Sequence, residues 1–108
     1  MRYSLFIDDE RHPPRDDRRW ITCRDWEEVM MCLRRNGMPG HISFDHDLGD
    51  HTHTGFDIAK FLVELDMDAP QFSIPPEFTF YVHSQNPIGK GNIESYLNNY
   101  LKFRVDNA

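Results

Sequence analysis

The chain has 108 residues, a net charge of −6, 39% hydrophobic and 13% aromatic residues. That is enough apolar material for one domain over residues 1–108 and argues against wholesale disorder. Mean hydropathy is −0.67, and no apolar run approaches the ~20 residues of a membrane span. All of the net charge lies in residues 41–68, where seven acids face Lys60 alone; residues 1–40 and 69–108 are each neutral. Such a surface disfavours broad duplex binding and suits a divalent cation better.

Tyr3 to Ile7 is short, apolar and β-prone, and stops abruptly at Asp8-Asp9, so a buried strand is expected, without signal-peptide character. Residues 10–19 hold Pro13-Pro14 and no apolar residue, which makes them loop. Arg11, Arg15, Arg18 and Arg19 share that loop, and loop arginines suit either a phosphate grip or surface ion pairs with Asp16 and Asp17. Trp20 to Cys23 is a second strand. Asp25 with Glu28 three residues on signals a helix start, and Trp26, Val29, Met30 and Leu33 mark one helical face, closed by Gly37 and Pro39. Cys23 and Cys32 are too few for a disulfide scaffold and are expected as reduced thiols in a cytoplasmic protein.

His41 to Phe44 leads into a third strand ending at Asp45, followed by a loop, HDLGDHTHTG, in which Asp47 can fix the turn at Gly49. Ile58, Phe61, Leu62 and Leu65 place a second helix over residues 55–66, opened by a Thr54/Asp57 capping box. His51 and His53 lack structural-zinc spacing and are expected as plain loop residues. Phe78 to Val82 is the fourth strand, closed by His83-Ser84. After the Asn86-Pro87 turn, Ile93, Leu97, Tyr100 and Leu101 mark a last helix. The alternation predicts an α/β fold, a short parallel four-stranded sheet with helices on both faces.

Three strands end in polar residues: Asp8-Asp9, Asp45-His46-Asp47 and His83-Ser84. In a parallel sheet all carboxyl ends share one edge, where ligands bind. Asp8, Asp9 and Asp45 form the oxygen-rich set that Mg²⁺ or Mn²⁺ prefers, with Asp47 able to add a backbone carbonyl. Ser84 can donate to a phosphoryl oxygen, and His46 or His83 can act as acid or base.

These segments, LFIDDERHPP, ISFDHDLGDHTHTGFD and FYVHSQNPIGKGNI, resemble the cyclic-phosphate processing receiver domain, a divergent relative of response-regulator receivers, from about Ser4 to Leu101. The resemblance implies a flavodoxin-like receiver fold, here with the first helix replaced by the Arg/Pro loop and the fifth strand missing. It implies a metal-dependent phosphoesterase acting on cyclic or terminal phosphates, such as 2′,3′-cyclic phosphate RNA ends. Asp8, Asp9, Asp45 and Asp47 would be metal ligands for Mg²⁺ or Mn²⁺. Asp45, His46, His83 and Ser84 would be catalytic, and Arg11, Ser84 and Asn86 substrate-binding. The substrate would be a phosphate-bearing small molecule or an RNA end. Two alternatives stand beside this one: a catalytically degenerate module that binds a partner protein, and an aspartyl-phosphate acceptor at Asp45.

Overall fold

The computed structural model describes residues 2–48 and 52–107, so the expected turn at Gly49 and His51 lie outside the described residues. Four strands, β1 (Ser4–Ile7), β2 (Trp20–Cys23), β3 (His41–Phe44) and β4 (Thr79–Val82), form one sheet in the order β2-β1-β3-β4, with all neighbours parallel. Three α-helices follow the later strands: α1 (Trp26–Asn36), α2 (Gly55–Asp68) and α3 (Pro87–Asp106). A short 3₁₀ turn spans Pro70–Phe72. The chain thus has an α/β receiver-like fold, and its described residues contain no fifth strand.

Local chemistry accounts for the helix ends. The Asp25 side chain accepts the Glu28 N–H at the start of α1, and the Glu28 carboxylate reaches back to the Arg24 N–H, one residue beyond the usual capping-box partner. Gly37 closes α1 with φ of 78°, a conformation that side chains other than glycine resist, and its N–H bonds the Leu33 carbonyl. Thr54 and Asp57 form the expected reciprocal box on α2, and Lys60 adds an ion pair to Asp57. The last helix runs further toward the amino end than its apolar stripe suggests. Asn86 caps it through the Gly89 N–H, with Pro87 in the first position.

Helices do not cover both faces of the sheet. Alternation along the strands sends Leu5, Ile7, Ile42, Phe44 and Val82 to one side, where they join Val29, Leu33, Ile58, Leu62, Ile93 and Leu97 in the main core. All three helices supply that core. Phe6, though only 4% exposed, is not part of it. Right-handed crossovers explain the one-sidedness. The β1-to-β2 connection moves one way along the sheet and the later two move the other way, so they must lie on opposite faces. That first connection is residues 8–19, which lack the apolar residues a packed helix needs. The result is two layers, with Ser4, Phe6, Ser43, Thr79 and Tyr81 on a face that carries a loop in place of a helix.

Candidate functional site

The in-register ends of β1, β3 and β4 bring Asp8, Asp45 and His83 to one edge, because the Asp45 N–H bonds the Ile7 carbonyl and the His83 N–H bonds the Phe44 carbonyl. One ligand atom from each of Asp8, Asp45 and His83 lies within 4.8 Å of the others. Asp8 is fully buried and Asp45 nearly so. Asp8 Oδ1 accepts the N–H groups of Glu10 and Arg11, at 2.9 and 2.8 Å. Its Oδ2 takes His83 Nε2 at 2.9 Å and the Arg11 guanidinium at 3.2 Å. Burial opposes the charge on Asp8, but these donors outweigh it and hold the carboxyl below its usual range. Asp45 is shifted the other way. Burial and then the neighbouring Asp8 charge push its carboxyl up, against the His46 N–H, His83 and Arg11.

Arg11 bridges the cluster. Besides Asp8 it approaches Asp45 Oδ2 at 4.0 Å and the His83 carbonyl at 3.5 Å. A cation therefore stands beside the β3 carboxylate, delivered by the loop and not by a lysine on a fifth strand. Arg24 fixes the turn that carries it, donating to the Asp8 carbonyl at 3.1 Å and the Arg11 carbonyl at 2.7 Å. The His83 ring is clamped on its other side. It stacks on Phe6 with centroids 4.7 Å apart and planes at 4°, and its Nδ1 meets Ser43 Oγ at 2.7 Å.

The remaining expected residues sit around this cluster with different partners. Asp9 and Asp47 are both exposed, and neither side chain joins the Asp8, Asp45 and His83 group. Asp47 instead meets the His46 ring at 3.1 Å and lies in a bridge with Thr54. The His46 ring is pressed against the start of α3, where a Cβ on Gly89 would collide with it. Ser84 is buried at the same edge and its Oγ accepts the Asn86 N–H, which leaves the hydroxyl proton free to donate. The Asn86 carbonyl oxygen is committed to capping α3. Gly55 lets the chain after β3 fold back tightly, since a Cβ there would strike the Asp45 carbonyl. Asp57 serves the α2 cap, as its spacing implies.

Three contributors escaped the sequence reading: Arg24, Ser43 and Phe6. Their signal was positional. Ile7 is in register with Cys23, so Arg24 ends β2 at the level where Asp8 ends β1, and all four strands end in polar residues. Ser43 and Phe6 each stand two residues before a site carboxylate and so share its face. The surface ion-pair alternative for the loop arginines is not what the fold uses. Asp16 accepts the Trp20 indole N–H and the Arg18 backbone N–H, and no arginine from 15 to 19 has an ion-pair partner among the described residues.

A parallel sheet in this strand order, with carboxylates at its carboxyl edge, defines a receiver-like domain. The family model described as the cyclic-phosphate processing receiver domain matches residues 3–99, and the chain belongs to that family. No match was found among curated proteins or solved structures. No described helix is long and apolar enough to cross a membrane.

Proposed function

We propose that this domain is a divalent-metal-dependent phosphoesterase that opens or removes a cyclic or terminal phosphate. The observation that carries the reading is the convergence of Asp8, Asp45 and His83, from three strand ends, within 4.8 Å. The two carboxylates at this largely buried edge are oxygen donors of the kind that Mg²⁺ or Mn²⁺ prefers, with the His83 imidazole beside them. Asp8 and Asp45 would hold it, and when bound it would withdraw charge from the phosphoryl oxygens.

The chain's own groups supply the rest. Arg11 presents a guanidinium fork beside both carboxylates, placed to bind phosphoryl oxygens that project from the edge. The Ser84 hydroxyl donates from the adjacent strand end. His83 is the better placed histidine to protonate the leaving ribose oxygen, since it lies at the carboxylates while His46 is held by Asp47 and Gly89. Hydrolysis forms a bond from water oxygen to phosphorus, breaks the bond from phosphorus to one ribose oxygen, and returns a proton to that oxygen. Asn86, as a helix cap, acts on the position of Ser84 and not on substrate through its carbonyl.

The test is hydrolysis of a nucleoside 2′,3′-cyclic phosphate with Mg²⁺, with Mn²⁺ and with EDTA, beside Asp45→Asn. Metal-dependent opening that disappears in the variant supports the reading. Equal inertness of both proteins with every metal sinks it and leaves the partner-binding module and the aspartyl-phosphate acceptor as the surviving alternatives.

A further inference from the structure

We infer that the outer edge of β4 is an interface for a second copy of this chain, formed by antiparallel pairing of β4 with β4 of the other copy across a two-fold axis at Tyr81. β4 ends the order β2-β1-β3-β4, so one of its sides has no neighbour in the sheet. The Thr79 N–H bonds the Gly40 carbonyl and the His83 N–H bonds the Phe44 carbonyl, so these residues turn their backbone groups toward β3. Alternation then turns the N–H and C=O of Phe80 and Val82 outward, and no described group bonds them there.

This edge lacks the usual protection. Exposed edges are commonly blunted by a lysine, a proline or a bulge within the strand. Phe78 to Val82 reads Phe-Thr-Phe-Tyr-Val, with neither charge nor proline, and its register with β3 runs without a bulge. Tyr81 is 59% exposed. A groove of about 330 Å³ lies beside the strand, with Phe78, Phe80 and Tyr81 on one side and Glu94, Asn98 and Leu101 of α3 on the other. Open backbone groups next to an open groove are the setting for strand addition.

Two features select a second copy as the occupant. The first is register. With the axis at Tyr81, Phe80 of one copy meets Val82 of the other, and each such pair exchanges both of its N–H···O bonds. The outward groups of both strands are thereby used, and the exposed Tyr81 rings meet across the axis at the closer, non-hydrogen-bonded spacing. The second feature is charge. The Lys90 ammonium stands 5.8 Å from the centre of the Tyr81 ring, and Glu94, about one helical turn on, lines the groove beside the same residue. Neither has an ion-pair partner among the described residues. A two-fold at Tyr81 brings Lys90 of each copy to Glu94 of the other, so the charge pattern complements itself. The contact is isologous and closes at two copies, joining the two sheets into one with their candidate sites at opposite ends.

The experiment is sedimentation equilibrium of the full chain over roughly 1 to 500 µM, which brackets a micromolar interface. Wild type is expected to pass with concentration from the 12.8 kDa of one chain to twice that mass. Lys90→Glu and Glu94→Lys each set like charges against one another across the axis, and each alone should raise the dissociation constant at least about tenfold. An equimolar mixture of the two variants restores opposite charges at both contacts and should recover the dimer, which also shows that both variants fold. In wild type, exchange of the Phe80 and Val82 amide hydrogens should slow as concentration rises. A wild type that keeps one-chain mass over the whole range overturns the inference and leaves the groove to an extended segment of another protein. A dimer whose Phe80 and Val82 amides gain no protection uses another face and overturns it too. So does a mixture of folded variants no more dimeric than either alone. The wild-type amides decide even if a variant folds poorly.

Discussion

Replacing Asp45 with Asn should reverse the stability ranking of wild type and variant when metal is added. Asp45 is 5% exposed, and one of its oxygens lies within 4.8 Å of a ligand atom of Asp8. At an effective dielectric of about 20, two charges at that separation repel by roughly 3.5 kcal/mol, and Arg11 at 4.0 Å from Asp45 offsets a similar amount. Arg11 is 42% exposed, so its attraction is discounted for solvent. Desolvation of the Asp45 charge then tips the balance, and its raised carboxyl means that the ionised form costs folding energy at neutral pH. Asparagine keeps the acceptor for the His46 N–H and removes the charge. In EDTA at pH 7 the variant should be more stable by about 1 kcal/mol, or about 4–8 °C in Tm for a domain near this size. With Mg²⁺ at about a hundred times its Kd, wild type gains about 2.7 kcal/mol and the variant far less. Melting curves by circular dichroism read both conditions. The same ranking with and without metal would refute the reasoning.

Two further substitutions probe the supports of the site. Asp8→Ala strips the partner from two backbone N–H groups, the Arg11 guanidinium and His83 at a fully buried position, and should cost about 3–5 kcal/mol in urea unfolding. The two carboxylates also set opposite pH trends in EDTA. As pH falls from neutral, relief of Asp45 (folded pKa raised) stabilises the fold. Below the ordinary carboxylate range, protonation of Asp8 (folded pKa lowered) removes stability, so a maximum is expected on the acid side of neutrality. Gly89→Ala should cost about 1–3 kcal/mol because the new Cβ meets the His46 ring, and His46→Ala in the same chain should restore most of that loss.

Element type was largely legible because the apolar spacing of Ile58, Phe61, Leu62 and Leu65, and the abrupt polar ends of the strands, each reflect one dominant physical constraint. Convergence of Asp8, Asp45 and His83 followed from strand parallelism alone. Helix placement did not, because alternation of strands and helices says nothing about handedness relative to strand order; the order β2-β1-β3-β4 sends the crossovers carrying α1 and α2 to the same side, and α3 joins them by packing Ile93 and Leu97 into the same core. Nor could composition separate Asp8 from Asp9. Adjacent residues leave a strand on opposite sides, and the turn that carries Arg11 onto Asp8 depends on Arg24, sixteen positions away. Asn86 read as a polar residue near the site, but a following proline and a glycine three residues on are also the marks of a helix cap, which is the role it takes.

The two-layer arrangement divides each inner strand into two sets of residues under unlike demands. In β1 and β3, Leu5, Ile7, Ile42 and Phe44 answer to packing against the helices, while Ser4, Phe6, Ser43 and the carboxylates that follow answer to the loop and the candidate site. The two sets interleave with a period of two, so inserting or deleting a single residue before either carboxylate would exchange them, turning acids toward the helices and aliphatic side chains toward the loop. Length in these strands is therefore under tighter constraint than identity. Evolution can vary the chemistry of the loop-side face one position at a time without touching the helix-side core, but it cannot shift the frame.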